Sequence, residues 1–115
     1  MHNYKKLKAW QEGVELVVDV YKVTREFPAA EKFGLISQIN RSAASIPSNI
    51  AEGAGRNSNG EFNQFLGIAS GSCFELETQL IIAQKLGYLS VETLTALSDK
   101  TDHIQKMIFN LQRKL

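Results

Sequence analysis

A chain of 115 residues with 13 Lys and Arg against 12 Asp and Glu, 43% hydrophobic and 22% charged, has the make-up of one ordinary globular domain over residues 1–115. Its formal charge of +1 excludes a grossly basic nucleic-acid coater, and its single cysteine, Cys73, excludes an intrachain disulfide and a Cys-based zinc cage. A domain of this size buries roughly two thirds of its unfolded surface, enough for a core without metals or disulfides.

The opening MHNYKKLKAW is basic but leads into no apolar h-region or small-residue cleavage site, which argues against a secretory signal. No apolar run approaches the roughly 20 residues of a membrane helix, so a soluble, cytoplasmic chain is expected. Apolar residues then recur at steps of three and four, the helical spacing. Leu7, Trp10, Val14, Val17, Tyr21 and Thr24 form a first seam, widened by Leu16, Val20 and Val23. The spacing predicts a helix from about Lys6 to Glu26, stopped by Phe27-Pro28 because proline disfavours helical geometry in the residue before it. A second helix of roughly 25 residues is expected after Pro28 with Glu31 in its first turn, on a seam of Phe33, Ile36, Ile39 or Asn40, Ala43, Ile46 or Pro47, Ile50 and Ala54. Pro47 falls inside it and predicts a kink, because the apolar period resumes in phase beyond the proline.

Gly53 to Gly60 reads as a turn, after which Ser58 and Glu61 form a capping box. The third helix carries the seam Phe62, Leu66, Ala69, Cys73, Leu76, Leu80 and Ala83, with Cys73 a small core filler and Gly87 a left-handed C-terminal cap. Ser90 and Glu92 open the fourth helix, on the seam Leu94, Leu97, Thr101, Ile104, Ile108, Leu111 and Leu115, with Arg113 and Lys114 at its negative end. The expected fold is all-α, an antiparallel up-down-up-down four-helix bundle with a Pro-kinked second helix.

Catalytic groups are sparse. His2 lies in a terminus expected to fray, and His103 has only Asp99 one turn before it. No Glu-x-x-His pair of the kind that holds a di-metal centre occurs, so no metal or other cofactor is expected. Gly55 to Gly60 lacks the Lys-Ser/Thr and the preceding strand of a phosphate loop, and neither Ser70 nor Ser72 has a plausible base. An enzyme is not expected, and no small-molecule substrate is evident. Helix 3 carries Glu61, Glu75 and Glu77 with no Lys or Arg between Arg56 and Lys85, and Glu75 or Glu77 could clamp Arg41 on helix 2. Glu52 could pair with Arg56 one turn on.

Gly67 and Gly71, with Ala69, Ser70 and Ser72 around them, point to a close approach of backbones, either inside the bundle or between subunits. Phe65, Ile68, Phe74, Ile81, Ile82 and Phe109 lie off the seams and favour a subunit contact. Positive charge gathers at Lys5, Lys6 and Lys8 and at Arg113 and Lys114, which an up-down bundle brings to one end beside Tyr4 and Trp10; Arg41 and Arg56 stand apart. These seven cations are the nucleic-acid candidates.

The stretch Phe33 to Leu89, above all SIPSNIAEGAGR (45–56) and EFNQFLGIASGSCFELETQL (61–80), closely resembles the four-helix-bundle proteins first noticed in intervening sequences of bacterial 23S ribosomal RNA genes and often labelled ribosomal proteins. LKAWQEGVELVVDVY is similar to the family's first helix. The resemblance implies a bacterial homo-oligomer, a pentamer by association, that binds RNA or a ribonucleoprotein without enzymatic activity. It also implies a relation to the accessory protein of diversity-generating retroelements. The signature positions it carries over are Ser37, Gln38, Arg41, Ser45, Pro47, Asn49, Glu52, Gly53, Arg56, Glu61, Gly71, Glu75 and Glu77, with Asn40 standing where the family commonly has a basic residue. Several of these read as structural, Pro47 setting the kink and Asn49 bonding a carbonyl that it exposes. The leading expectation is an oligomeric RNA or ribonucleoprotein binder, and the alternative is a protein-interaction scaffold without nucleic-acid contact.

Overall fold

Local capping decides where each helix starts. The computed structural model describes residues 2–115, and among the described residues the chain is all-α, with four helices and no strand. Asn3 accepts the Lys5 amide at 3.2 Å and holds a 3-10 turn over Tyr4–Lys6, and Leu7 is extended, so α1 spans Lys8–Thr24 rather than starting at Lys6. A 3-10 turn at Ala29–Glu31 follows, and α2 begins only at Leu35 because Gly34 leaves helical geometry (φ −107°, ψ −110°). The Glu31 carboxylate accepts the Leu35 amide at 3.2 Å, satisfying one of the free donors of that first turn. Phe33, which the spacing places on the core seam, is instead 90% exposed. The second helix continues through Pro47 to Ala54. Asn49 Nδ2 donates to the Ser45 carbonyl at 2.8 Å and to its Oγ at 2.9 Å, whereas the carbonyl that Pro47 leaves without an amide donor is that of Ala43.

Ser58 caps α3 (Asn59–Lys85) by accepting the Glu61 amide at 3.2 Å. Only half of the capping box forms, since the Ser58 hydroxyl donates to Glu61 Oε1 at 3.3 Å and so occupies that carboxylate. At the other end Gly87 is left-handed (φ +82°), with Tyr88 N–H donating to Ala83 C=O and Gly87 N–H to Gln84 C=O, both at 2.9 Å. Ser90 then caps α4 (Val91–Lys114) through the Thr93 amide at 3.1 Å.

Each helix packs on two neighbours, α1 and α3 both lying against α2 and α4, with no contact across either diagonal among the described residues. The expected seams of α3 and α4 are the buried ones, although Leu94, Leu111 and Leu115 are only partly covered. In α1 the core face is Ala9, Gly13, Leu16, Val20 and Thr24, with Tyr21 exposed and Leu7, Trp10 and Val17 at the margin. The cause is a close approach at Gly13, where an added Cβ would lie 3.2 Å from Pro47 Cβ and so turns the small-residue face inward. A tighter approach occurs at Gly53, whose added Cβ would stand 2.6 Å from Phe65 Cβ and 3.0 Å from Phe62 Cδ1. Gly67 and Gly71 meet nothing within 4 Å, which overturns close packing of these two inside the chain.

Polar pairs stitch the seams. Thr24 Oγ1 donates to Asn40 Oδ1 at 2.9 Å, Ser42 Oγ to Gln79 Oε1 at 2.7 Å, and Ser45 and Ser72 share a hydroxyl bond of 2.8 Å. Ser70 Oγ donates to Gln105 Oε1 at 2.7 Å across α3 and α4, so both serines considered as nucleophiles have structural partners. Among the described residues no helix is long and apolar enough to cross a membrane.

Candidate nucleic-acid interface

The N-terminal segment docks on the turn between α2 and α3. His2 N–H donates to the Ala54 carbonyl at 2.8 Å, its ring centroid lies 4.9 Å from that of Phe62, and its Nε2 is 3.4 Å from Asn59 Oδ1. His2 is therefore held on the α2–α3 turn rather than frayed, and the exposed Lys5, Lys6 and Lys8 follow it closely in the chain. Across α1 and α4 the Asp19–Lys100 ion pair and the Glu12–His103 contact (3.5 Å) run in opposite senses along the two helices. At 1.5 Å per residue, Lys8, Arg113 and Lys114 then lie toward the same end. Lys5, Lys6, Lys8, Arg113 and Lys114 are exposed, with no carboxylate within 4 Å among the described residues.

Arg56 reaches the same end from the α2–α3 turn. It pairs with Glu52 at 3.1 Å, as the spacing predicts, and its guanidinium sits 4.8 Å over the Phe65 ring. Tyr4 and Trp10 pack edge to face at 5.1 Å, and Arg113 lies 5.8 Å from the Phe109 ring. Tyr4 and Trp10 are both partly exposed and pack against the core.

Arg41 is not part of this end. It lines a polar groove of about 570 Å³ between α2 and α3, with Gln38, Ser42, Ser45, Glu75 and Gln79. The expected clamp is absent, because neither Glu75 nor Glu77 comes within 4 Å of Arg41. Glu77 turns instead to α4 and Asp102. Burial first, then hydrogen bonding to Asp102 and the negative charge of that carboxylate, push Glu77 up from 4.5 to about 7. The Cys73 thiol beside them is pushed up to about 12, by burial and then by the charges of Glu77 and Asp102, which leaves it unreactive. His103 faces Glu12, not Asp99, and among the described residues no group of three or more His, Cys, Asp or Glu could hold a metal ion.

Residues 5–110 match the family described as 23S rRNA-intervening sequence protein. The chain belongs to that family. No curated protein matches it. Among solved structures it is similar to a protein of unknown function from the S23 ribosomal protein family of Bacteroides thetaiotaomicron VPI-5482, with a TM-score of 0.81 and 24% identity over 90% of this chain and 97% of that one. At that identity the likeness speaks for the fold.

In this member of the 23S rRNA-intervening sequence family, the Glu77–Asp102 pair is the chemical feature that the sequence reading missed. The available signal was Asp102 standing next to the core residue Thr101, which puts a carboxyl at the edge of the α3–α4 seam. The folded value of Glu77, about 7, exceeds the ordinary 4.5, so between those limits the native state holds the proton that the unfolded chain has lost. Stability should therefore fall as pH rises from about 5 to 8, by of the order of 1 kcal/mol once solvent screening of a partly exposed carboxyl is allowed for. Thermal melts of wild type and Glu77→Gln across that range check it, since the difference between the two should grow with pH. A pH-independent difference would refute the shared-proton arrangement.

Proposed function

We propose that this chain is a non-enzymatic, cytoplasmic, homo-oligomeric member of its family, with adjacent helices antiparallel and α2 bent at Pro47, and that its basic end binds RNA or a ribonucleoprotein. The observation that supports the reading is that Lys5, Lys6, Lys8, Arg113 and Lys114 are exposed and free of acidic partners among the described residues, with Tyr4 and Trp10 packed together next to the lysines in the chain. A net charge of +1 gives one copy little long-range pull on a polyanion. A symmetric ring, pentameric by the family resemblance, repeats the patch, and phosphate contacts then add.

The test is titration of a labelled single-stranded RNA with the assembled protein at several salt concentrations. Affinity should drop steeply between about 50 and 200 mM salt. Replacing Lys5, Lys6 and Lys8 together by Ala should weaken binding at every RNA sequence and flatten the salt slope by about 2, at roughly 0.7 for each phosphate no longer neutralised. Arg41→Ala, remote from the basic end, should change little. No RNA binding at low salt would remove the reading in favour of a scaffold that binds protein alone.

A further inference from the structure

Two features of this chain have no explanation within a single copy. The first is the connection between α1 and α2, where Phe33 is 90% exposed and the Lys32 ammonium lies 5.5 Å from its ring. An aromatic side chain left this bare in the turn that leads into α2 contributes nothing to its own core. The second is an open groove of about 490 Å³ between α3 and α4, walled by Phe74 (64% exposed) and Phe109 (58% exposed) and floored by the Ser70–Gln105 hydrogen bond. Asp102 lines it. Glu77 faces Asp102 from α3, one turn from Phe74 and on the same helix face.

We propose that the groove receives Phe33 and Lys32 of a second copy of this chain, the ring seating between Phe74 and Phe109 and the ammonium meeting Asp102 and Glu77. The inference rests on the homo-oligomeric reading above and assigns its contact surfaces. The two patches are chemically complementary. A phenyl ring fits between two phenyl walls, where offset or edge-on contacts form. A cation arrives at two carboxylates that have no cation within 4 Å among the described residues and whose mutual repulsion keeps a proton on the pair. Lys106 also lines the groove, but its ammonium forms no ion pair with either carboxylate within 4 Å. A phosphate backbone would meet those same carboxylates with like charge, which disfavours RNA there although Arg113 of the basic end lies 5.8 Å from the Phe109 ring that walls the groove. Phe33 and the groove are different patches of the molecule, so the contact is head to tail and closes into a ring when the rotation allows.

The experiment is the mass of the full-length protein in solution, measured by light scattering and sedimentation at tens of micromolar, for wild type and three variants. Wild type should assemble, while Phe33→Ala and Asp102→Lys should each shift the population to the 12.8 kDa monomer. Combining Lys32→Glu with Asp102→Lys should recover assembly, because the exchanged charges face each other again. Phe33 and Asp102 are exposed, so both variants should keep the wild-type helical signal. A monomeric wild type would remove the homo-oligomeric reading itself. An assembled wild type with unchanged assembly of Phe33→Ala and Asp102→Lys would leave that reading standing and overturn this interface. Failure of the charge exchange to recover assembly would overturn the Lys32 contact.

Discussion

Gly53→Ala should cost about 2 kcal/mol and Gly53→Val more, whereas Gly67→Ala and Gly71→Ala should each gain up to about 1 kcal/mol. All four substitutions add side chain to a helix, and alanine is the better helix former everywhere, so the sign is decided by what the new atoms meet. At Gly53 the first carbon would stand 2.6 Å from Phe65 Cβ, an atom fixed to its own backbone, and 3.0 Å from the buried Phe62 ring. Relief requires α2 and α3 to move apart along their longest shared seam. At Gly67 and Gly71 nothing lies within 4 Å, so the propensity gain is unopposed. Urea denaturation of the variants at one protein concentration gives the comparison. If Gly53→Ala proved as stable as wild type, α2 and α3 would not be held at this spacing in solution.

Phe62→Ala should be the most damaging truncation near the candidate interface, at about 3–5 kcal/mol. The ring is buried, stands where a Cβ added at Gly53 would come within 3.0 Å of its Cδ1, and packs against the His2 ring at 4.9 Å. Its removal leaves a cavity between α2 and α3 and takes away the platform on which the N-terminal segment rests. Beyond the fall in midpoint, hydrogen exchange at the His2 amide, which donates to Ala54 C=O, should accelerate more than exchange in the middle of α3. Lys5, Lys6 and Lys8 would then no longer be held beside Arg56, so RNA affinity should fall even under conditions where the bundle stays folded. Equal acceleration everywhere would mean that the segment is not anchored by this ring.

The third and fourth helices were legible because their signals are local and uninterrupted: one apolar period over many turns, and caps at Ser58, Gly87 and Ser90 that act within a few residues. The first helix was harder. Its large apolar residues cover more than one face, and only the approach of Pro47 to Gly13, 34 positions away in the chain, selects Leu16 and Val20 over Val14 and Tyr21 as the centre of the core. The start of α2 was misplaced for a different reason, because Phe33 and Ile36 keep helical spacing across a break made by Gly34 and capped by Glu31. At the candidate site, charge identity could be read directly and pairing could not. Glu75 and Glu77 lie two residues apart, about 200° around the helix, so they serve different seams: Glu75 the groove shared with Arg41, Glu77 the face toward Asp102. The gathering of Arg56 with the lysines depends on the docking of His2, for which periodicity carries no signal.

The packing of α1 on α4 stands apart from the other three seams because no connecting segment spans it. The other pairs are tethered through residues 25–34, 55–58 and 86–90, so once parted they find each other again by a short local search. The first and last helices must instead meet across the whole chain, and the polar links between them, Asp19–Lys100 and Glu12–His103, sit at the surface where ions weaken them. The four helices thus behave as a bracelet with one clasp. Opening should begin at that clasp, and added salt should loosen it first.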